Sequence, residues 1–346
     1  MAFSYRVSIK DIAKAAGVSY STVSRALHNS PLISLEVREQ IQRIAGSMGY
    51  TPNALAQSLQ SKQTNSVGLV ITTISDPFFA DVVNGVEEEA KKAGISVFLA
   101  TTKNDPDEEI DIIETFSRRR VDGVIVASSR IDAGYASRLE QIRIPVVMVN
   151  AEAEEEGNLI YSVSVDDFDG ARQAIRHLID LGHRRIAYLG VSNRTVSNKH
   201  RMEGYIDTLK KESIEIVPER IIINQDTSPG DLVRDFKIGQ ELCEKILKTD
   251  VTAIFCYCDT IAAGVMDTCR RNGISVPQQM SIVGFDDNFI CEILSPPLTT
   301  IHQPEMEIGK LAMQMILNSL AGEDVVDILL NPHIIIREST SKPQIL

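Results

Sequence analysis

Apolar residues are spaced in two different ways along this chain, and the change falls near residue 66. Before it they recur every three or four positions in short blocks, with no continuous or alternating run, which predicts helices and no strand. Ser8 can cap a first helix carrying Ile9, Ile12, Ala13 and Ala16 on one face. Gly17 follows as a stop, and Val18 is placed to plug a tight turn. Ser19 can cap a second helix whose inward residues are Val23, Ala26 and Leu27. A third begins after Ser34 with a stripe of Val37, Ile41, Ile44 and Met48, closed by Gly49. Three short helices around one small core is the helix-turn-helix plan.

Next comes "YTPNALAQSLQSKQTNS", in which Thr51 and Pro52 can start a short helix with little to bury. So short a helix is marginal in water and should order only when something packs on it. From Val67 the texture changes. Apolar runs alternate with helical stripes: "SVGLVIT", "ISVFLAT", "VDGVIVAS", "IPVVMVN", "RRIAYLG", "AIFCYC" and "SIVGF". These runs lack polar alternation, so both faces should be covered, as in parallel sheets between helix layers. The remaining length argues for two such sheets.

Composition alters this picture little, except in how charge is distributed. The 346 residues are 43% hydrophobic and 24% charged, ordinary for a globular protein. No run is long enough to span a bilayer, and no basic start leads into an apolar segment, so the expected location is the cytoplasm. The five cysteines are odd in number and irregularly spaced, which suits small buried hydrophobes better than disulfides or metal ligands. Net charge is −12, yet residues 1–62 hold seven Lys/Arg against three acids. A basic head on an acidic body is expected where only the head meets phosphates, although short segments also fluctuate in charge.

On the second helix the outward residues are Tyr20, Ser21, Ser24, Arg25 and His28. A helix that reads DNA needs this split: its side chains must reach base edges, and Arg can bond guanine O6 and N7 together. The Thr22 and Ser24 hydroxyls suit phosphate oxygens. A solvated helix face looks similar in isolation; the turn, the caps and the basic charge together favour the DNA-reading interpretation.

At these residues the chain resembles a known family. "SIKDIAKAAGVSYSTVSRALHNS" is similar to the DNA-binding head of the LacI/GalR family of bacterial transcription regulators, and "GYTPNALAQSL" to that family's hinge helix. The resemblance continues, in the family's order, through "DPFF", "GHRRIAYLG", "CDTIAAGV", "VGFDD", "PPLTTIHQP" and "IIIREST". It implies an α/β protein: a small all-α helix-turn-helix head plus a two-lobed, periplasmic-binding-protein-like body with two mostly parallel sheets. The implied domains are a head at 1–50 and a hinge helix and linker at 51–66. The N-terminal lobe would be 67–165 plus about 295–325, and the C-terminal lobe 166–294 plus about 326–346.

The same resemblance assigns roles. Tyr20, Ser21 and Arg25 would face major-groove base edges. Thr22, Ser24, Asn29 and Tyr50 would contact the DNA backbone or brace the head. Leu59, beside Ala56, would wedge into the minor groove, trading unstacking at a base step for contact area. Phe78, Phe79, Arg201 and Asp286 would line an effector cleft between the lobes.

Position points the same way, because open α/β sheets bind ligands at the carboxyl ends of their strands. Asp76, Asn150, Asp259 and Asp286 follow such runs, and Arg201 is expected to open the helix "RMEGYIDTL". Each lone Asp has a plainer use as a helix cap, and for Asp259, ahead of "TIAAGV", the cap is the favoured role. Cys258 stands where relatives often carry a polar residue. Arg234 stands where many sugar-binding relatives carry an aromatic, and if Arg234 and Lys103 join Arg201, an acidic sugar or phosphorylated metabolite would fit.

No catalytic or nucleotide-binding motif appears: no GxSxG, GxxxxGK[ST], HExxH or strand-following GxGxxG. The six histidines show no ligand spacing, and His183 reads as a braced loop residue. No cofactor or metal is therefore expected, and no enzymatic activity. A solute-binding protein shares the expected body but would not need residues 1–62. Some relatives, the catabolite control proteins, answer instead to a phosphorylated carrier protein. Here "EMEIGKLAMQMIL" keeps an apolar stripe (Ile308, Leu311, Met315) without the aromatic and arginine expected for that partner. The expected function is a dimeric regulator, a repressor of a carbohydrate operon, bound to a palindromic operator and controlled by a small sugar or sugar derivative. It would be cytoplasmic, and at the nucleoid when DNA-bound.

Overall fold

The computed structural model describes residues 7–50, 63–103, 105–127, 142–150, 159–228 and 231–344. The chain divides into two compact units, Met1–Thr64 and Asn65–Leu346.

The first unit holds α1 (Ile9–Ala16), α2 (Tyr20–Leu27) and α3 (Leu35–Ser47). Its helix ends follow from local chemistry. The Asp11 N–H donates to Ser8 Oγ, and the Ser8 N–H donates to the Asp11 carboxylate at 2.9 Å, forming a capping box. Gly17 ends α1 at φ +66°, where a side chain would be strained. The Thr22 N–H donates to Ser19 Oγ at 3.2 Å and starts α2. Ile12, Val23, Ala26, Ile41 and Ala45 form the core, with Val18 and Tyr50 packed against it. The hinge positions Ala56 and Leu59 lie outside the described residues.

The second unit runs β1 (Ser66–Ile71), α4 (Pro77–Lys92), β2 (Ser96–Thr101), α5 (Pro106–Arg118), β3 (Gly123–Ala127), β4 (Val146–Val149), β5 (Ile160–Val165), α6 (Asp167–Asp180) and β6 (Ile186–Val191). It continues α7 (Thr195–Lys211), β7 (Ile221–Asn224), α8 (Leu232–Ile246), β8 (Ala253–Cys256), α9 (Asp259–Arg271), β9 (Ser281–Val283), α10 (Ile290–Ile293), β10 (Thr300–His302), α11 (Glu305–Ala321), β11 (Ile328–Leu330) and β12 (His333–Ile335). One sheet has the order β11-β5-β4-β3-β1-β2 and the other β7-β6-β8-β9; every pairing within both is parallel. β10 and β12 form a separate antiparallel pair.

All seven apolar runs became strands. β2 departs from the expectation of two covered faces: it is an edge strand, and Phe98 and Leu99 are 49% and 45% exposed. Arg201 does not open its helix, because α7 begins at Thr195 and places Arg201 two turns in.

The lobe boundaries also shift from those expected. Residues 298–302 belong to the second lobe, since the Gly284 and Asp286 N–H groups donate to the Thr299 and Ile301 carbonyls, and Leu298 and Ile301 are buried in that lobe's cores. β11, expected in the second lobe, pairs with β5 in the first sheet. The chain therefore crosses between lobes near residues 166, 303 and 331. In the first lobe α11 lies so close to α4 that a Cβ on Gly85 or Gly309 would sit 2.2 or 2.1 Å from a carbonyl oxygen of the other helix. Ile308 and Met315 of α11 are buried in that contact layer, so the apolar stripe noted above faces the protein's own core.

Candidate functional site

In the first unit α2 has two unlike faces. Val23 and Ala26 are buried, while Tyr20, Ser21, Arg25, His28 and Asn29 are exposed; Thr22 and Ser24 are half-buried. The Ser19 hydroxyl lies 2.8 Å from those of both Ser21 and Thr22, tying the start of the helix together. Asn29 sits at φ +54°, and its side-chain oxygen accepts from Gln42 of α3 at 2.9 Å. Gln42 went unnoticed in the sequence, where nothing marks it as a brace.

In the second unit the carboxyl ends of β1, β3 and β4 face those of β6, β8 and β9 across a cavity of about 710 Å³, part of it open to solvent. Six of the expected residues line it: Asp76, Phe78, Phe79, Asn150, Arg201 and Asp286. Phe78 and Phe79 meet edge to face, with ring centroids 5.2 Å apart. Asp76 accepts from the Phe78 N–H at 3.2 Å and so caps α4, while its other oxygen faces the cavity residue Arg194 at 2.7 Å. Asn150 sits at φ +53° and accepts from the Val165 N–H.

Arg201 is 2% exposed. Its Nε donates to Asp167 at 2.7 Å, Nη1 donates to the Tyr257 carbonyl, and the guanidinium lies over the Phe285 ring at 3.6 Å. Asp286 has φ +118°, a strained value for a residue with a side chain, and accepts from Gln303 Nε2 at 2.7 Å. Burial, with Asp259 and Asp76 nearby, pushes its carboxyl well above the usual carboxylate range, and Arg201 opposes this.

Three expected residues do not join the cavity lining. The Arg234 guanidinium pairs with Asp226, and Lys103 lies exposed beyond β2. The acidic-ligand expectation built on them therefore loses its premise. Asp259 is fully buried and does not cap by its side chain. It accepts from Thr300 Oγ1 and from the Asn288 N–H at 3.0 Å, bracing the loop that carries Asp286.

The sequence reading missed Arg194, Asp235, Tyr257, Asn288 and Gln303, all of which line the cavity. Arg194 was accessible to the strand-end rule, since it follows β6 by three residues. Asp235, inside α8, carried no such signal. Gln303 Oε1 and Asn288 Oδ1 have no protein partner among the described residues and remain as acceptors. Elsewhere the five cysteines are buried and free. His183 is held by Thr252, Ser281 and the Ser341 carbonyl.

Glu305, just past the second lobe crossing, is 8% exposed. Burial first, then Asp286 and Asp259, pushes its carboxyl up to about 10. Ordinary glutamate titrates near 4.5, so between these values the folded protein holds a proton that the unfolded chain has lost. Stability from this group is complete below pH 4.5 and declines as pH rises toward 10. Glu305→Gln should therefore melt like the parent near the lower limit and increasingly above it as pH is raised. Thermal melts across the range check this; a constant gap would contradict it.

Residues 8–53 match the model of bacterial regulatory proteins of the lacI family, and residues 175–340 match a periplasmic binding protein-like domain. The chain is 32% identical over 341 residues to the HTH-type transcriptional repressor PurR of Mannheimia succiniciproducens, covering 97% of this chain and 99% of that one. It is 33% identical over 344 residues to the ribose operon repressor of Haemophilus influenzae, covering 96% and 98%. The solved lac repressor dimer bound to operator and the anti-inducer ONPF superposes with a TM-score of 0.86 at 25% identity, covering 97% of this chain and 100% of that one. These relatives are regulators rather than enzymes, and among the described residues no helix is long and apolar enough to cross a membrane. With its three-helix head, its two-lobed body and full-length relatives of that kind, the chain belongs to the lacI family of DNA-binding bacterial transcription regulators.

Proposed function

We propose that this chain represses a carbohydrate-utilisation operon, binding a palindromic operator as a homodimer and answering to a small sugar or sugar derivative held between the lobes. The reading rests on α2, whose exposed Tyr20, Ser21 and Arg25 stand over a buried Val23 and Ala26. Tyr20, Ser21 and Arg25 read base edges; Thr22, Ser24, Asn29 and Tyr50 meet the backbone or hold the head; Ala56 and Leu59 enter the central minor groove. A dimer is supported by the lac repressor relative and by the exposed apolar edge of β2, where Phe98 and Leu99 need a cover. Such a protein works in the cytoplasm, at the nucleoid while bound.

The effector occupies the cavity, contacting Phe78, Phe79, Asn150, Arg201 and Asp286. Its hydroxyls have acceptors in Gln303 and Asn288. It changes operator affinity only insofar as it prefers one arrangement of the lobes, and that preference sets the sign of regulation.

Selection of binding sites from random DNA with the full-length protein tests the first half. Two symmetric half-sites are expected, and single half-sites would reject the dimeric reading. Titrating neutral sugars into the protein–operator complex tests the second half.

A further inference from the structure

The cavity holds two arginines among the described residues, and each is already paired: Arg194 with two carboxylates and Arg201 with Asp167. Arg194 projects from the second lobe. Its Nη2 lies 2.7 Å from Asp76, on the first lobe, and 2.8 Å from Asp235, on the second; Nη1 reaches Asp235 again at 3.4 Å. The side chains of Arg194 and Asp76 are each 13% exposed and that of Asp235 is 5% exposed, so water screens the three weakly. Burial holds the Asp235 carboxyl above its ordinary value, against the pull of the adjacent guanidinium. Arg201 pairs with Asp167 at 2.7 Å and lies 3.7 Å from Asp286.

From this we infer that Asp76 and Asp235 are specificity-determining residues that exclude anionic ligands by occupying Arg194. The inference rests on the cavity being the effector site and narrows that ligand to an uncharged, polyhydroxylated compound. An anion near Arg194 is attracted by one positive charge and repelled by two negative charges at similar distance. It would also give up hydration that a guanidinium already donating to two carboxylates replaces only in part. A hydroxyl carries neither penalty, since it can donate to a carboxylate and accept from a guanidinium. Exclusion by unfavourable charge is a recognised route to specificity, distinct from better contacts with the right ligand. The first-lobe Asp76 makes the exclusion strongest when the lobes are closed.

Removing one negative charge should turn Arg194 into an anion receptor. Asp235→Asn keeps an oxygen to accept from the guanidinium. Asp76→Asn also keeps the helix cap, because asparagine caps as well as aspartate. Calorimetry on the full-length protein would use D-glucose, D-gluconate and D-glucose 6-phosphate as probes, with circular dichroism to establish that each variant is folded. The unsubstituted protein is expected to bind neither anion more tightly than glucose. Asp235→Asn is expected to bind gluconate or the phosphate at least about tenfold more tightly than the parent, in a salt-sensitive manner. Asp76→Asn should show a smaller gain. Tighter anion than glucose binding by the parent overturns the inference, as does a folded variant with no gain. If instead neutral sugars leave operator affinity untouched while the variants gain anion binding, the effector reading fails and the exclusion stands.

Discussion

Arg201→Ala should lower folding stability by roughly 3–5 kcal/mol, because it leaves the buried Asp167 carboxylate without its partner. Asp167 is 5% exposed, and burial already pushes its carboxyl up against the pull of Arg201. The substitution also strips the Tyr257 carbonyl of a donor and removes the guanidinium packed on Phe285. Position in the sequence suggested a ligand-binding arginine alone; the geometry makes it a structural one first. A loss of effector response in this variant would therefore be ambiguous without a stability measurement. Urea unfolding of Arg201→Ala, Asp167→Asn and the double variant resolves the two roles. The double variant should recover part of the loss, since Asp167→Asn removes the stranded charge. Strict additivity would mean the pair is not coupled. A single variant as stable as the parent would mean the site repacks freely.

Arg25→Ala should cost roughly 1–3 kcal/mol in specific operator binding and relax one operator position. Arg25 is exposed in the last turn of α2 and contributes nothing to the head's core, so folding stability should stay within about 0.5 kcal/mol of the parent. That separation gives the test its force. Gel-shift titrations against an operator and its single-base variants read the effect directly. An equal loss on every sequence, with a shallower salt dependence, would reassign Arg25 to a phosphate contact.

Local chemistry was readable because it depends on neighbours in the chain. Ser8, Gly17 and Ser19 end helices through contacts within five residues. The apolar runs from "SVGLVIT" to "SIVGF" needed only hydrophobicity to declare themselves strands. Of the other five strands, β5 escaped because Ser162 and Ser164 break its apolar run, β7 is only four residues long, and β10 to β12 are three residues each. Within the cavity, strand-end position brought out Asp76, Asn150 and Asp286. It did not bring out Asp235, which enters from within a helix, or Gln303, which lies on a crossing between lobes. Arg234 shows the limit of counting charges: it stands one residue from Asp235 yet turns away to Asp226. Which of two adjacent residues faces a ligand is set by helix phase, and a single sequence gives that phase only where burial is already known.

The return of the chain to the first lobe bears on how the protein is made. α11 and β11 complete a lobe whose other strands lie 140 or more residues earlier, and between them the whole second sheet is laid down. On the ribosome the second sheet can therefore pair while Val82, Val86 and Ile125 of the first lobe still await Ile308, Ala312 and Ile316. The second lobe itself gains β12 and Ser339 only after the chain crosses back near residue 331. Both lobes are thus finished only by segments that follow residue 303, and a chain cut short before residue 305 carries the head attached to an unfinished body. Its exposed apolar face marks such a fragment for aggregation or proteolysis. Interleaving the lobes ties delivery of a working head to completion of the switch that governs it.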